Sequence, residues 1–464
     1  MFNRLILTDS YKVSHHVQYP PGTKHLYSYW ESRGGLYPET VFFGIQYFLK
    51  QYLSQPITME EVDHAERRFH LHFGNGKVFN RKGWEHIINV HGGRLPVLIR
   101  TVPEGTVVPT RNVMMTVENT DPEVPWLTNY LETLLCQLWY PTTVATISRE
   151  IKKDIGAYLK ETGDLAGLPF KLHDFGFRGV SSVESAAIGG AAHLVNFMGT
   201  DTMVALELAN DYYHEPMAGF SIPAAEHSTI TSWGEENELE AYRNMIRNFG
   251  GKGTPGGGLY AVVSDSYNIF KACEAWGVEL LQEVRDAPNM LVVRPDSGTP
   301  HVVVVQVVET LDKGFGHTVN EKGFKVLDGV RVIQGDGVNP EEIHRILEAL
   351  RVRGWSADNI AFGMGGALLQ QLNRDTQKFA FKACHISGTY GERDVFKSPV
   401  TDQGKRSKRG KLRLIRNDVG TLETVQEGQY IEKADVLRTV FKNGEILVDD
   451  TFAEIRERAN VKTF

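Results

Sequence analysis

The stretch VRVIQGDGVNPEEIHRILEALRVRGWSADNIAFGMGGALLQQL (residues 330–372) contains one pattern twice. Each copy begins with an apolar run, passes through a glycine-rich turn and enters a segment with apolar residues at helical spacing. Strands that alternate with helices in this way form parallel sheets joined by right-handed crossovers. The stretch therefore predicts two consecutive strand–turn–helix units.

The same unit recurs from about residue 170 to residue 375. Earlier copies share an apolar run that ends in a polar turn, at FKLHDFGFRG (170–179), VNFMGTDTMVALELAN (195–210), GFSIPAAEHS (219–228), LYAVVSDS (259–266) and MLVVRPDSG (290–298). These units are more than a small doubly wound sheet needs, so we predict an irregular α/β barrel. The catalytic groups of such barrels lie on the turns that follow the strands.

The sequence on both sides of the barrel region has a different character. Residues 95–121 contain short alternating runs cut by proline and glycine turns, which is typical of antiparallel strands. Residues 125–161 predict two helices, and the last 90 residues return to short strands. We therefore predict a barrel over 166–378 and a β-rich α+β domain built from both chain termini, over 1–165 and 379–464.

Bulk composition excludes several classes of protein. The formal net charge of -7 argues against a dedicated nucleic-acid binder. Three scattered cysteines without a CxxC pair favour a reducing compartment. The N-terminal apolar run is too short for a signal peptide, and the chain lacks an uncharged apolar stretch of about 18 residues. We expect a cytoplasmic protein without a membrane span.

Two glycine turns, IQGDGV (333–338) and FGMGG (362–366), follow the last two predicted strands, and each opens a helix. Glycine lets the backbone approach an anion, and a helix N-terminus favours negative charge. Glycine turns are common, so either one alone is weak evidence. Together, in the position where barrels commonly bind phosphate, they predict a phosphate site.

Other turns carry side chains with two possible interpretations. Arg294 and Asp296 suit contacts to a ribose or phosphate, with the carboxylate available to hydroxyls or Mg²⁺; alternatively they form a local ion pair. HDFGFRG (173–179) places aromatic rings beside an arginine, which suits a flat ring and an anion, although core packing explains the rings equally well. Asp201 is either a ligand contact or a helix cap.

His227, in SIPAAEHSTIT (221–231), remains open on residue chemistry alone. It could be a metal ligand, a general base, a phosphate carrier or a hydrogen-bonded core residue. The basic segment 397–413 is interpreted as an arm for a polyphosphate, with a nucleic-acid patch or a solvated loop as alternatives. Residues 250–258 lack the spacing of a phosphate loop and are interpreted as a flexible connection.

In order along nearly the whole chain, these motifs resemble the nicotinamide phosphoribosyltransferase family. The resemblance rests on TDSYK (8–12), HDFGFRGVSS (173–182), GTDT (199–202), PAAEHSTIT (223–231), RPDSG (294–298), QGDGV (334–338), GMGG (363–366) and the tail VFKSP–KRSKRGKL (395–412). It implies the conversion of nicotinamide and phosphoribosyl pyrophosphate into nicotinamide mononucleotide and pyrophosphate. It also implies a head-to-tail homodimer with two active sites at the subunit interface.

The resemblance assigns roles to individual residues. Phe175 and, from the other subunit, Tyr11 would stack on the two faces of nicotinamide. Asp201 would accept a hydrogen bond from the carboxamide and repel the carboxylate of nicotinic acid. The remaining implied contacts are to base, ribose and phosphate from Arg178, Arg294 and Asp296, to ribose or phosphate from Ser264, to the 5-phosphate from Gly335, Asp336, Gly365 and Gly366, and to pyrophosphate from Arg33, Arg374, Lys382, Lys397 and Lys405. Arg294, Asp296 and His227 are the implied catalytic residues.

By the same resemblance, His227 is the histidine that ATP phosphorylates, with Glu226 or Asp296 nearby to orient it. Mg²⁺ and ATP, as activating co-substrate, are the implied cofactors. The chain departs from the family at Asn268 and Ala380 and in a short 32–40 segment, which puts details of ribose and pyrophosphate contacts in question.

Three rival functions are compatible with parts of the pattern. The first is a nicotinic acid phosphoribosyltransferase on the same fold, against which Asp201 argues. The second is a metal-dependent barrel hydrolase that uses His173 and His227, although the predicted barrel region lacks an HxH pair. The third is a binding protein that has lost its chemistry.

Overall fold

A computed structural model describes residues 2–253, 257–401 and 403–464. The chain divides into two compact units. One unit, which we call the terminal unit, contains the N-terminal stretch up to Thr146 together with Tyr212–His214 and Asn373–Ala459. The other, the barrel unit, contains Ile147–Asp211, Glu215–Leu372 and Asn460–Phe464.

The strands of the described residues, in chain order, are β1 (Thr23–Ser32), β2 (Glu39–Val41), β3 (Val97–Thr101), β4 (Val107–Pro109), β5 (Val113–Asn119), β6 (Leu172–Asp174), β7 (Gly199–Thr200), β8 (Leu259–Val263), β9 (Met290–Arg294), β10 (His317–Val319), β11 (Lys325–Leu327), β12 (Val330–Gln334), β13 (Ile360–Met364), β14 (Phe379–Gly388), β15 (Gly391–Asp394), β16 (Leu412–Arg416), β17 (Leu422–Gln426), β18 (Arg438–Lys442) and β19 (Glu445–Ile446).

The α-helices are α1 (Ile45–Phe48), α2 (Met59–His72), α3 (Arg81–His91), α4 (Leu127–Tyr130), α5 (Glu132–Cys136), α6 (Trp139–Thr162), α7 (Val183–Leu194), α8 (Met203–Tyr213), α9 (His227–Thr231), α10 (Glu238–Phe249), α11 (Ile269–Gly277), α12 (Leu281–Asp286), α13 (Pro300–Phe315), α14 (Pro340–Val352), α15 (Gly366–Leu369) and α16 (Phe452–Ala459). Among the described helices, none has both the length and the apolar character that crossing a bilayer requires.

The barrel unit is built on a parallel sheet with the strand order β7-β6-β13-β12-β9-β8. Its two edge strands are joined by the segment 220–224, through parallel bridges from Phe220 to Gly199 and from Ala224 to Ala261. The ring of strands therefore closes in chain order, which confirms the predicted irregular barrel. Pro223 has no N–H to donate, and this explains why the joining segment forms bridges rather than a regular ladder.

The barrel strands are almost continuously apolar because side chains pack on both faces of the sheet. Ala261, Val292 and Ile333 form a buried cluster, and Phe175 and Ile222 pack against it. Several of the helices that follow the strands start with a side-chain cap, namely α7, α11 and α14. At the start of α14 the side chain of Asn339 accepts a hydrogen bond from the Glu342 N–H, with Pro340 in the first turn.

The terminal unit contains an antiparallel sheet with the order β15-β14-β1-β5-β3-β18-β19. Strands from the two ends of the chain are neighbours in it, since β1 pairs with β14 and β3 pairs with β18. The stacked rings of Trp30 and Phe379, with centroids 4.6 Å apart, pack across the first of these pairs. The predicted α+β domain made from both termini is thus confirmed.

Two predicted helices have different bounds in the structure. The region 125–161 forms three helices rather than two, namely α4, α5 and the long α6. The pattern after GFSIPAAEHS predicts a helix through Trp233 to Phe249, but the structure has α9 before Gly234 and α10 from Glu238, because Gly234, with φ of 84°, turns the chain. Residues 254–256 of the predicted flexible connection and residue 402 of the basic segment lie outside the described residues.

Candidate active site

A cavity of about 420 Å³ lies at the carboxyl ends of the barrel strands. It is lined by Phe175, Arg178, Gly179, Arg294, Asp296, Gly335, Asp336, Gly337, Val338, Asn339, Gly365, Gly366, Ala367 and Gln371. Eight of these were selected from the sequence as site residues, namely Phe175, Arg178, Arg294, Asp296, Gly335, Asp336, Gly365 and Gly366. The structure brings them together at the face where barrels carry their reactive groups.

The ring of Phe175 occupies space left by two glycines. A Cβ atom at Gly363 would lie 1.9 Å from Cε2 of Phe175, and one at Gly335 would lie 3.5 Å from the same atom. The backbone N–H of Phe175 donates to the Met364 carbonyl at 3.1 Å, which fixes the turn after β6. Gly363 was not selected from the sequence, although its place in FGMGG was the available signal.

Both predicted glycine turns lead into helices whose N-termini border the cavity, through the cap residue Asn339 of α14 and the first residue of α15, Gly366. Gly337, with φ of 66°, adopts the left-handed conformation that favours glycine. A Cβ at Gly366 would meet no heavy atom within 4 Å, so this position leaves the backbone open to a ligand. Two helix N-termini beside exposed backbone form a suitable environment for a phosphate group.

Opposite charges meet at one side of the cavity. The Arg294 Nε lies 3.7 Å from Oδ1 of Asp296, and within the described residues this buried nitrogen has no hydrogen-bond partner. Burial raises the pKa of Asp296; Arg294 opposes this rise, while the carboxylates of Asp265 and Asp336 add to it. The arginine is therefore available to an anion, and the carboxylates form a locally acidic corner.

His227 is the first residue of α9, and its partner is a buried carboxylate. The His227 Nε2 lies 3.0 Å from Oδ1 of Asp265, whose other oxygen accepts the backbone N–H of Asp296 at 3.1 Å. The His227 side chain is 47% exposed and that of Asp265 is 3% exposed. Because a carboxylate only accepts, Nε2 carries a proton, and in the neutral imidazole Nδ1 is then the unprotonated nitrogen.

The residue that orients His227 therefore differs from the prediction of Glu226 or Asp296. Glu226 is instead the N-cap of α9, where its carboxylate accepts from the Ser228 hydroxyl and its backbone N–H donates to the Thr229 hydroxyl at 3.2 Å. Asp265 was missed by sequence reasoning. The available signal was a carboxylate directly after the apolar strand in VVSDS.

Asp201 follows β7, where its Oδ1 accepts a hydrogen bond of 2.5 Å from the Ser221 hydroxyl. Its backbone N–H donates to the carbonyl of Asp174 at 3.0 Å. The buried Asp174 also accepts the N–H of Gly176 at 2.7 Å, which supports the turn that carries Phe175. Burial raises the pKa of Asp174 to about 6. The turns that carry Phe175 and Asp201 are thus both held by hydrogen bonds to the buried residue Asp174.

Ser264, which was predicted to contact ribose or phosphate, is not among the residues that line the cavity. Its side chain is buried, and its hydroxyl donates to the Val262 carbonyl and accepts the indole N–H of Trp276 at 3.1 Å. The hydroxyl is engaged in packing between β8 and α11. We therefore assign Ser264 a structural role in place of the ligand contact.

His173 and His227 do not form a metal-binding group in the part of the chain that the structure describes. The His173 Nε2 lies 3.0 Å from the Phe170 carbonyl, and burial lowers the pKa of this imidazole. His227 is paired with Asp265 instead. This arrangement argues against the rival barrel hydrolase that would use the two histidines together.

The predicted pyrophosphate residues belong to the terminal unit. Lys382 is half-buried, and burial lowers its pKa, with a further lowering by the nearby positive charge of Arg33. The buried Nε of Arg33 has no hydrogen-bond partner among the described residues. Arg374 is largely exposed, and Lys397 and Lys405 lie in the basic segment. Their role stays a prediction.

Tyr11, the predicted second face of the stacking slot, is also in the terminal unit. Its side chain is 58% exposed, and its ring contacts His15 edge to face with centroids 5.0 Å apart. An exposed aromatic ring of this size is available to a partner surface. Its contribution to a site on another subunit stays a prediction.

An α/β barrel with two glycine turns and an arginine in a cavity at its strand ends, in a chain that also has a unit built from both termini, is typical of enzymes that act on phosphorylated small molecules. Residues 170–445 match the nicotinate phosphoribosyltransferase (NAPRTase) family. Residues 3–99 match the N-terminal domain of nicotinamide phosphoribosyltransferase. The chain belongs to the nicotinate phosphoribosyltransferase family.

Named relatives cover the full length of the chain. It is 52% identical over 466 residues to a nicotinamide phosphoribosyltransferase of Xanthomonas campestris pv. campestris (strain 8004), covering 99% of this chain and 98% of that protein. It is 35% identical to a protein of the same name from Acinetobacter baylyi, covering 98% and 97%. The fold is similar to that of a nicotinate-nucleotide pyrophosphorylase from Pyrococcus furiosus, with a TM-score of 0.64, 15% identity and coverage of 98% and 94%.

Proposed function

We propose that this protein is a nicotinamide phosphoribosyltransferase of NAD salvage. It transfers the phosphoribosyl group of phosphoribosyl pyrophosphate to nicotinamide and releases pyrophosphate. The observation that carries the proposal is the cavity that unites an aromatic ring, two glycine turns and an arginine. The relatives that share its whole length carry this name.

The reaction needs positioning and charge stabilisation more than proton transfer. The pyridine nitrogen is unprotonated at neutral pH and attacks the anomeric carbon, while the bond from that carbon to the pyrophosphate oxygen breaks. Phe175 holds the ring flat, and the glycine turns hold the 5-phosphate. Arg294 faces the substrate with a nitrogen that lacks a partner among the described residues. Such positioning supplies a large part of enzymatic rate enhancement.

The leaving pyrophosphate is a polyanion, and we propose that positively charged side chains and a metal ion bind it. Arg33, Arg374, Lys382, Lys397 and Lys405 supply positive side chains. Mg²⁺ suits the acidic corner of the cavity, where Asp265 and Asp336 raise the pKa of Asp296. Asp296 and Asp336 would hold the ion, which neutralises charge on the departing pyrophosphate when it is bound.

Selectivity for the amide rests on Asp201. A carboxylate attracts the carboxamide N–H groups and repels the carboxylate of nicotinic acid. The hydrogen bond from Ser221 holds Asp201 in one orientation. This pair distinguishes the proposed function from that of a nicotinic acid phosphoribosyltransferase on the same fold.

The selectivity proposal is tested with Asp201→Ser and the matched control Asp211→Ser, an exposed aspartate on α8. We expect the parent and the control to prefer nicotinamide, and Asp201→Ser to lose that preference by roughly tenfold or more. The measurement is kcat/KM for nicotinamide and nicotinic acid with phosphoribosyl pyrophosphate and Mg²⁺. An unchanged preference in Asp201→Ser would contradict the proposal.

ATP is proposed as an activating co-substrate that phosphorylates His227. The hydrogen bond to Asp265 leaves Nδ1 of His227 unprotonated on a half-exposed side chain. In the proposed step Nδ1 attacks the γ-phosphorus of ATP, the bond to the bridging oxygen breaks, and ADP leaves. The phosphohistidine then lies beside Asp296 at the edge of the cavity.

The working form is proposed to be a cytoplasmic homodimer in which Tyr11 of one subunit completes the stacking slot of the other. Co-expression of Tyr11→Ala and Phe175→Ala chains with different tags tests this arrangement. Each variant alone is expected to be nearly inactive, and the mixed dimer retains one intact site of two. Purified mixed dimers should therefore show about half the activity of the parent, and inactive mixed dimers would refute a shared site.

A further inference from the structure

Three metal-ligating side chains of the terminal unit converge at a place that the proposed reaction does not use. The Nε2 atoms of His86 and His91 lie 2.7 and 2.6 Å from the same oxygen, Oδ2 of Asp121. The possible ligand atoms of these three side chains all lie within 4.8 Å of one another. Within residues 2–253, 257–401 and 403–464, no other group of three or more His, Cys, Asp or Glu side chains meets this criterion.

A well-packed helix carries the two histidines. His86 and His91 belong to α3, whose buried Trp84 contacts the rings of Trp126 and Tyr130 edge to face. His91 is the last residue of the helix, and Gly92 follows with φ of 60°, so the chain turns away and leaves the imidazole at the helix end.

Asp121 comes from a separate element, the turn after β5. Its Oδ1 accepts the Glu123 N–H at 2.9 Å, and its carbonyl accepts the Asn119 side-chain amide at 2.7 Å. These bonds fix the carboxylate so that Oδ2 faces the two imidazoles. A site held by packed helices and anchored turns is preorganised for a ligand.

The two imidazoles and the carboxylate match the ligand chemistry of zinc. Zn²⁺ binds His nitrogen and Asp oxygen at about 2.0–2.2 Å in tetrahedral geometry, which separates neighbouring ligand atoms by about 3.3 Å. The observed distances from the two Nε2 atoms to Oδ2 of Asp121, 2.7 and 2.6 Å, are those of hydrogen bonds. Each distance would therefore increase by about 0.6–0.7 Å on metal binding. Each neutral imidazole would carry its proton on Nδ1 and offer the Nε2 lone pair.

Partial exposure leaves room for a further ligand. The side chains of His86, His91 and Asp121 are 29%, 24% and 10% exposed. Solvent can therefore reach the three side chains, although each of them is largely buried. A site with three protein ligands and one water is a common zinc arrangement.

We propose that His86, His91 and Asp121 form a binding site for Zn²⁺, with a water molecule as the fourth ligand. The ion ties the C-terminal end of α3 to the turn after β5 and so stabilises the terminal unit. The site is independent of the proposed transferase activity, because none of its three residues is among the proposed substrate-binding residues.

The test uses untagged protein that has been dialysed against a chelator and then against metal-free buffer. Calorimetric titration with ZnCl₂ should give one high-affinity equivalent per chain. Co²⁺ in place of Zn²⁺ should give the visible absorption bands of a tetrahedral site. His86→Gln and His91→Gln should each weaken zinc binding by roughly 100-fold, since the loss of a direct ligand costs at least as much as the loss of an outer partner.

The matched control is His317→Gln, which removes a histidine paired with a single carboxylate, Asp312, at 2.6 Å. We expect this variant to bind zinc like the parent. Circular dichroism verifies that each variant is folded, and the single changes keep one histidine bonded to Asp121. The proposal is overturned if the parent binds no zinc at micromolar concentration, or if folded His86→Gln and His91→Gln bind it as tightly as the parent.

Discussion

The buried carboxylate of Asp265 connects two parts of the candidate site. One oxygen accepts from His227 and the other from the backbone of Asp296. In an asparagine at this position, the NH₂ group would face either the His227 Nε2–H or the Asp296 N–H, and two donors cannot form a hydrogen bond. We therefore expect a change at Asp265 to disturb the orientation of His227 and the backbone of Asp296 together.

We predict that Asp265→Asn slows phosphorylation of His227 by ATP by roughly 10- to 100-fold, the value of a hydrogen bond to a charged group. His227→Ala should abolish both the labelling by γ-labelled ATP and the ATP stimulation of turnover. His344→Ala, which removes another half-exposed histidine beside a carboxylate, is the control. Undiminished ATP stimulation in His227→Ala would show that the phosphohistidine assignment is wrong.

Glu104, buried in the terminal unit, governs stability rather than chemistry. Its two oxygens accept the N–H groups of Gly44 and Gln46 at 2.7 Å, and the Tyr213 hydroxyl lies 3.2 Å away. Burial raises its pKa from 4.5 to about 7, against the opposing effect of these hydrogen bonds. The folded chain therefore holds a proton between these two pH values that the unfolded chain releases.

Stability should consequently fall as pH rises from about 4.5 to about 7, by about 3 kcal/mol for this group. We predict that Glu104→Gln flattens this part of the profile, whatever its effect on absolute stability. The measurement is the urea midpoint at several pH values, with the exposed Glu60→Gln as control. A profile as steep in Glu104→Gln as in the parent would contradict the assignment.

At the scale of elements, β13 shapes the proposed base-binding part of the cavity because Gly363 has no side chain. Gly363 lies in this strand directly against the ring of Phe175. The turn that follows the same strand carries Gly365 and Gly366 to the phosphate part of the cavity. One strand thus defines both ends of the proposed substrate site.

We predict that Gly363→Ala displaces the Phe175 ring, because its methyl group would lie 1.9 Å from Cε2. The KM for nicotinamide should rise roughly tenfold, while the KM for phosphoribosyl pyrophosphate changes little. Steady-state kinetics test this, with Gly167→Ala as control because a Cβ there meets only Lys171 at 3.6 Å. Equal changes in both KM values would contradict a local effect on the ring.

The elements also show what sequence patterns can predict. The barrel was predictable because its strands are buried on both faces and so appear as uninterrupted apolar runs before polar turns. The segment 220–224 was predictable as a strand, but Pro223 leaves only isolated bridges. The break of the predicted Trp233 helix depended on the backbone of Gly234, which a hydrophobic pattern does not report.

Site residues that depend on three-dimensional neighbours were not predictable in the same way. Gly363, Asp265 and the group around Asp121 acquire their meaning from partners 30 to nearly 190 residues away in the chain. Ser264 follows a barrel strand as the pattern requires, yet its hydroxyl serves the packing of Trp276. Spacing identifies the face of the barrel, whereas only the structure shows where each side chain on it is engaged.

At the scale of the whole molecule, the two units divide the proposed work. The barrel unit carries the cavity for base, ribose and 5-phosphate. The terminal unit carries Tyr11 and the predicted pyrophosphate residues, and it contains the proposed zinc site. The chain matches named nicotinamide phosphoribosyltransferases over nearly its full length, which supports one function for the whole molecule.

The most direct test of this function is product formation from phosphoribosyl pyrophosphate and Mg²⁺ with nicotinamide or nicotinic acid, each with and without ATP. Chromatography of the nucleotides gives the result for both bases under identical conditions. We predict nicotinamide mononucleotide and pyrophosphate from nicotinamide, faster with ATP, and little product from nicotinic acid. Preferential formation of nicotinic acid mononucleotide, or no product from either base, would contradict the proposed function.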